Sequence, residues 1–298
     1  MSIKTSFSIK DLENLSGVKA HTIRIWEKRY NLFQPKRSDT NIRTYDLKSL
    51  QKVLNIAFLL ENGHKISKLA KLKESEISTK VNELSTINGD ILHTINTFKL
   101  SMLNFDQKLF DDTYYQLLTQ YSFQEIFNIF FIKLLKHIGL LWTSNTILPA
   151  HEHFISTLIK QKILVNIEKV KSQNQKTNKT YILFLPHNEI HDIGLLYIHY
   201  ELLSKGHQSV YLGESLPIEN LLEIQKVFSH IIFISYFTVE PNKNNTLTYL
   251  EELYDSILAT RNERLHILGN NTAHLEADKL PPNVVLHHNP MHLIEAIE

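Results

Sequence analysis

The chain has 298 residues, 43% apolar and 21% charged, a globular composition that excludes a disordered tail and suits two domains or a little more. It contains no cysteine, which excludes disulfide scaffolds, thiolate zinc sites and cysteine nucleophiles and fits a reducing cytosol. The net charge of +1 hides an asymmetry. Residues 1–80 hold 16 Lys/Arg against 8 Asp/Glu, a net of +8, and the rest carries −7, as expected of a polyanion-binding module attached to an acidic body.

The opening MSIKTSFSIK lacks the apolar region of a signal peptide, and no run approaches the apolar length of a membrane span, so a soluble cytoplasmic protein with no membrane partner is expected. Ser8 is placed to cap a helix over Ile9–Leu15, because its hydroxyl can accept from the free N–H groups of the first turn. Gly17 supplies a turn, and Val18–Tyr30 reads as a second helix with Ile23, Trp26 and Tyr30 on one face. Pro35 stops that helix, Lys36–Tyr45 is polar and extended, and Asp46 opens a further capped helix.

Four amphipathic segments follow, Ile91–Leu103, Gln107–Tyr121, Gln124–Trp142 and Ala150–Ile167, for which an antiparallel four-helix bundle is the economical arrangement. Lys169–Thr180 is a polar linker. Beyond it, short apolar runs at Tyr181–Leu185, Ser209–Leu212, Ile231–Phe237, Leu265–Leu268 and Val284–Leu286 alternate with helical stretches. Parallel strands need such crossovers, so a doubly wound, flavodoxin-like parallel sheet is expected. The division is therefore a head over 1–80, a bundle over 81–170 and an α/β domain over 180–298: a multidomain α and α/β fold.

Helix, turn, helix and basic hairpin place one helix in a DNA major groove. The cations and hydroxyls for phosphate and base contact are Lys19, His21, Thr22, Arg24, Lys28, Arg29, Lys36, Arg37 and Arg43, with Trp26 and Tyr30 as core anchors. The stretch TIRIWEKRYNLFQPKRSDTNIRTYDLKSLQKV resembles the winged helix-turn-helix of MerR-type transcription regulators over about residues 5–75. That resemblance implies a recognition helix around Lys19–Arg29 and a wing from Arg37 to Tyr45 on flanking phosphates. It also implies a homo-oligomer, dimer or tetramer, on double-stranded DNA with an inverted-repeat operator. No long heptad follows Leu72, so dimerisation is expected to use other surfaces.

In an open parallel sheet, ligands sit outside the carboxyl ends of the strands. The first such loop holds Glu189, His191, Asp192 and Gly194, where a neighbouring carboxylate can fix the histidine tautomer and raise its basicity towards a metal. A lone loop histidine is otherwise a surface or capping residue. The spacing of Glu189, His191 and Gly194 resembles the signature of cobalamin-binding domains, which implies His191 as the lower axial ligand of cobalt with an acidic neighbour on its other nitrogen. Ser235 and Gly269 stand where that family contacts the nucleotide tail, but Phe237 replaces a leucine and Asn270 a second glycine. Both departures are expected to narrow the tail's path.

Trp142, then nine residues, then Glu152 and His153 resembles the cap of the cobalamin-dependent, light-sensing MerR-type repressors of carotenoid genes. That likeness implies Trp142 over the upper cobalt face beside Glu152 and His153; a buried Trp beside a solvated Glu-His pair is the bland alternative. Thr143 follows Trp142 where some light sensors carry a histidine, so that form of light switch is not expected. A zinc site from His151, Glu152, His153 and His187 is disfavoured because adjacent helical residues diverge by about 100°. There is no phosphate loop, and no Ser-His-Asp set can be assembled by spacing.

The expected function is a sequence-specific DNA-binding regulator, not an enzyme and with no catalytic residues, whose sensor half takes cobalamin and sets the oligomer. Phe237 and Asn270 favour a second version, in which the sheet keeps its fold without the cofactor and serves assembly or partner binding. A corrinoid-carrier enzyme subunit is a third, argued against by the DNA-binding head.

Overall fold

The computed structural model describes residues 6–37, 41–88, 91–170 and 179–297. The middle of the expected wing (38–40) and most of the expected linker (171–178) lie outside the described residues. Two compact units divide the chain, Met1–Leu158 and Ile159–Glu298.

The first unit begins with strand β1 (Phe7–Ser8) and helix α1 (Ile9–Ser16). Ser8 caps α1 through a reciprocal box: its hydroxyl accepts from Asp11 N–H at 3.1 Å and the Asp11 carboxylate accepts from Ser8 N–H at 2.8 Å. Gly17 then turns the chain at φ 77°, a left-handed conformation that costs glycine little. Helix α2 (Ala20–Tyr30) ends on Asn31 at φ 49°. Strand β2 (Lys36–Arg37) pairs antiparallel with β3 (Arg43–Tyr45), and β1 pairs with β3 on its other edge.

Helix α3 (Leu47–Glu61) is capped by Asp46, which accepts from Ser49 N–H. Leu12, Leu15, Ile23, Trp26, Leu50, Val53 and Leu54 are all buried and supply the apolar interior of the head. The short α4 (Ile66–Leu69) and α5 (Glu74–Asn88) follow.

The bundle consists of α6 (Ile91–Asn104), α7 (Gln107–Leu117), α8 (Phe123–Ile126) running through a π-helical turn at Phe127–Phe131 into α9 (Ile132–Thr143), and α10 (Pro149–Val170). Its interior is aromatic: the Phe98 and Phe110 rings lie 5.0 Å apart, and Phe110 and Phe131 stack at 6.0 Å. Phe123–Thr143 is, by length and composition alone, apolar enough to cross a membrane, against the expectation that no run approaches that length. Its Phe127, Phe130, Phe131, Leu134, Ile138 and Leu141 are buried within the protein. Lys99 of α6 is also buried and donates to Leu15 O at 3.2 Å, so a cation meets the carbonyl end of α1. Burial holds its ammonium down at about 8.

The second unit takes the end of α10 and then a five-stranded, wholly parallel sheet: β4 (Thr180–Pro186), β5 (Gln208–Leu216), β6 (Ile231–Tyr236), β7 (Arg264–Leu268) and β8 (Val284–Leu286). The spatial order is β5-β4-β6-β7-β8, the doubly wound order with its switch point beside the first strand of the sheet. Helices α11 (Ile193–Ser204), α12 (Ile218–Val227), α13 (Thr246–Leu253), α14 (Ala259–Arg261) and α15 (Pro290–Ile297) connect and follow the strands. One face buries Phe184, Phe233, Phe237, Leu250 and Leu253; the other buries Leu183, Leu195, Ile198, Leu268 and Leu293. Strand β4, flanked by β5 and β6, is buried along its whole length, so an unbroken apolar run rather than an alternating one encodes it.

Candidate functional site

Two arrangements of side chains carry chemistry, one in each unit. In the first unit, Ile23 and Trp26 turn into the core, which rotates His21, Arg24, Lys28 and Arg29 out to solvent on the other side of α2. Lys19 stands at the N-terminus of α2, exposed, with Glu13 at 3.3 Å. Thr22 is half-buried. The Arg29 guanidinium lies 5.5 Å from the centre of the Tyr30 ring, a cation–π contact that aims an otherwise floppy side chain. Lys36 and Arg37 are exposed on β2, and Arg37 donates to Asn41 Oδ1.

Two of the expected DNA contacts are engaged within the head itself. Tyr45 is 1% exposed in the head core, where burial and the neighbouring Glu27 push its phenol above the ordinary range. Arg43 is half-buried and paired with Glu27 at 3.1 Å. Both follow from alternation on β3: Thr44 points one way, and Arg43 and Tyr45 point to the face that packs on α2. Sequence reasoning missed Ile25, an apolar side chain left 51% exposed among the cations of α2. The signal was available, because Ile23 and Trp26 take the core face and push position 25 off it.

In the bundle, Trp142 near the end of α9 is 45% exposed rather than packed inside. Glu152 on α10 accepts from Ser156 Oγ at 2.6 Å and pairs with the exposed His153 at 2.9 Å. His151, in contrast, is buried and stacked on Phe105 at 4.8 Å, and its Nδ1 accepts from Leu148 N–H. Adjacent residues thus face different ways, and no cluster of three or more metal-ligating side chains occurs among the described residues.

In the second unit, β4 delivers the loop 187–192 to the carboxyl edge of the sheet. Glu189 is fully buried there. One carboxylate oxygen accepts from the backbone N–H of Ile190 (2.8 Å) and His191 (2.9 Å) and from His191 Nδ1 (2.6 Å). The other accepts from Thr238, Val239 and Glu240 N–H at 3.1, 2.6 and 2.8 Å. Burial pushes the carboxyl up, but the His191 ring and the N–H groups of Val239, His191 and Glu240 outweigh it and hold Glu189 at about 2. A carboxylate can only accept, so Nδ1 is the donor to Glu189; in the neutral ring, which is half exposed, this leaves the lone pair on Nε2.

Asp192, the other carboxylate expected beside His191, is directed elsewhere. It accepts from Tyr211 OH at 2.8 Å and pairs with Lys160 Nζ at 2.5 Å, and Lys160 also reaches Glu214 at 3.1 Å. Sequence spacing gave no sign of this cluster, because its four members come from α10, the loop and β5.

The residues expected along a nucleotide tail are all taken up by packing. Ser235 is buried and donates its hydroxyl to Phe184 O at 2.9 Å. Gly269 sits at φ +122°, and a Cβ there would fall 2.2 Å from Phe237 O. Asn270, expected to obstruct, is exposed; the Phe237 backbone occupies the space instead, donating its N–H to Leu268 O and accepting from Asn271 N–H. The Phe237 ring is fully buried beside Tyr249. Gly194, on the first turn of α11, is covered by Tyr236: a Cβ there would lie 2.6 Å from the ring. The donor set at His191 therefore fits cobalt, and the slot for a tail does not fit one.

Residues 7–76 match the family described as MerR HTH family regulatory protein, and residues 94–165 match the B12 binding domain. The chain is 26% identical to the HTH-type transcriptional repressor CarH of Myxococcus xanthus over 72% of its own length and 73% of that protein's. Against the repressor CarA of the same organism it is 23% identical, covering 70% and 68%. Among solved structures, the monomethylamine corrinoid protein of Methanosarcina barkeri superposes with a TM-score of 0.56 at 14% identity, over 68% of this chain and 94% of that one. That likeness is one of fold.

Proposed function

Given a MerR-type helix-turn-helix head, a B12-binding domain and homology to the CarH and CarA repressors, we propose that this transcription regulator reads an inverted-repeat operator as a homo-oligomer and senses a corrinoid through His191. The observation that carries the first half is the solvent-facing row of His21, Arg24, Lys28 and Arg29 on a helix whose opposite side is locked into the core by Ile23 and Trp26. The row supplies phosphate and base contacts, Ile25 adds an apolar surface suited to a thymine methyl, and Lys36 and Arg37 extend the contact along the backbone. Arg43 ties β3 to α2 through Glu27, and the buried Tyr45 ring packs the strand on the core.

Replacing Arg24 or Lys28 with Ala is expected to weaken operator and random duplex alike. Each phosphate left without its cation should flatten the log–log salt slope by about 0.9. Titration of the full chain against labelled promoter fragments at several salt concentrations reads this directly. No preference for any promoter fragment over random competitor would overturn the regulator reading.

The observation that carries the second half is the Glu189–His191 pair. Glu189 holds the ring by Nδ1 and anchors the loop that presents it, so Nε2 is the donor offered to a metal. When bound, a corrinoid supplies a cobalt centre for that imidazole. Trp142, Glu152 and His153 are proposed as further cofactor-binding residues, supported by their place within the stretch that matches the B12 binding domain. Occupancy of the sensor sets the oligomer, and the oligomer sets how many heads act together through effective concentration. Full chain mixed with adenosylcobalamin or with diaquocobinamide and then desalted is expected to keep a visible spectrum that His191→Ala loses. A colourless protein with both corrinoids would refute the sensing half and leave the DNA-binding half intact.

The homologues named above are repressors, and a DNA-binding head has no use in a corrinoid-carrier subunit, which is why the proposal is a regulator in the cytoplasm rather than an enzyme. A reading in which the sheet serves only assembly draws its support from the closed tail slot.

A further inference from the structure

We infer that Tyr236 and Phe237 shut the carboxyl end of the sheet against a nucleotide tail, so that this chain takes a corrinoid with the tail left outside and prefers a tail-less corrinoid, such as cobinamide, to cobalamin. The inference rests on the reading of His191 as cobalt ligand and narrows its ligand class.

The geometry comes from three positions. The Tyr236 ring lies so close to Gly194 that even a methyl group on that glycine would meet Cε2 at 2.6 Å and Cζ at 2.8 Å. Tyr236 packs on the face of the sheet that buries Leu195, Leu268 and Ile294. At the neighbouring strand end, Phe237 O stands 2.2 Å from where a Gly269 Cβ would be, and the Phe237 ring is held in the opposite core. Ser235, between them and Phe184, has spent its hydroxyl on a backbone carbonyl. Protein interiors are close-packed, so a tail entering here must evict a ring that already fills the space.

The consequence follows from coordination chemistry. The benzimidazole of cobalamin's own tail is a ligand for the same lower cobalt face that His191 would take. A protein with a slot holds that base away; this chain has no room to do so. The tethered base then competes with His191 at an effective concentration of millimolar order or above, which penalises cobalamin against cobinamide by on the order of tenfold or more. Cobinamide lacks the base and meets no such competitor.

Equilibrium dialysis of the full chain against diaquocobinamide and against hydroxocobalamin, read by visible spectra, tests this. Tighter binding of cobinamide, with an imidazole-ligand spectrum that His191→Ala abolishes, is the expected result. Tyr236→Ala, which vacates the space beside Gly194, should narrow the gap between the two corrinoids; if that variant does not fold, Tyr236→Leu opens less space, and the wild-type comparison stands by itself. Cobalamin binding as tightly as cobinamide overturns the inference while the His191 reading survives. Retention of neither corrinoid overturns both.

Discussion

Glu189→Gln is expected to destabilise the sheet unit by about 3–5 kcal/mol, because several buried N–H donors lose a charged acceptor at once. The carboxylate accepts six hydrogen bonds, three at each oxygen. An amide of the same shape keeps one accepting oxygen and turns an NH2 group towards three donors. Either orientation leaves one loop without its anchor: the loop of Ile190 and His191, or that of Thr238 to Glu240. Hydrogen exchange should accelerate in one of the two loops, at His191 or at Val239 and Glu240, and the melting temperature should fall. A variant within about 1 kcal/mol of wild type, by the conversion of about 1.4 kcal/mol per tenfold in exchange, would remove Glu189 from this role.

The same carboxylate predicts a pH dependence of definite sign. Its folded value of about 2 lies below the ordinary 4.5, so the stabilisation is fully present above pH 4.5 and is lost as the pH falls towards 2. The amount is about 3 kcal/mol. Acid unfolding followed by circular dichroism should show a wild-type loss in that window that Glu189→Gln largely lacks.

Gly269→Ala is the second large effect, expected to cost about 3 kcal/mol or more from a left-handed backbone and an overpacked contact combined. The neighbour that would have to yield is Phe237 O, a backbone atom 2.2 Å from the new methyl group. It is also pinned, since Phe237 donates to Leu268 O at 2.8 Å and accepts from Asn271 N–H at 3.0 Å. Gly213→Ala is the control: φ is +87° there too, but the nearest atom is 3.7 Å away, so only the backbone strain remains. Equal melting temperatures for the two variants would show that the Phe237 contact adds nothing.

Much of this protein was legible in its residues. Capping residues and apolar periodicity put α1, α2, α3 and the four bundle segments within a few positions of where they lie, because helix ends and buried faces are local properties. Five apolar runs separated by helical stretches implied parallel crossovers, and each became a strand of the sheet. The pairing of Glu189 with His191 was also readable, being two residues apart in one loop. Tyr45, expected on the outer face, is buried: three residues of strand carry too little pattern to tell the core face from the outer one.

What the chain's order of residues determined by itself is the type and succession of elements and which short segment bears the histidine. What only the tertiary structure decided is the company that segment keeps: Asp192 goes to Lys160 and Tyr211, Glu189 is completed by amides about fifty positions away, and Tyr236 fills the ground beside Gly194. Periodicity reports which side of an element is buried, but not what meets it there. That depends on strand order and register, which bring β6 alongside β4 and so set the atoms that surround the site.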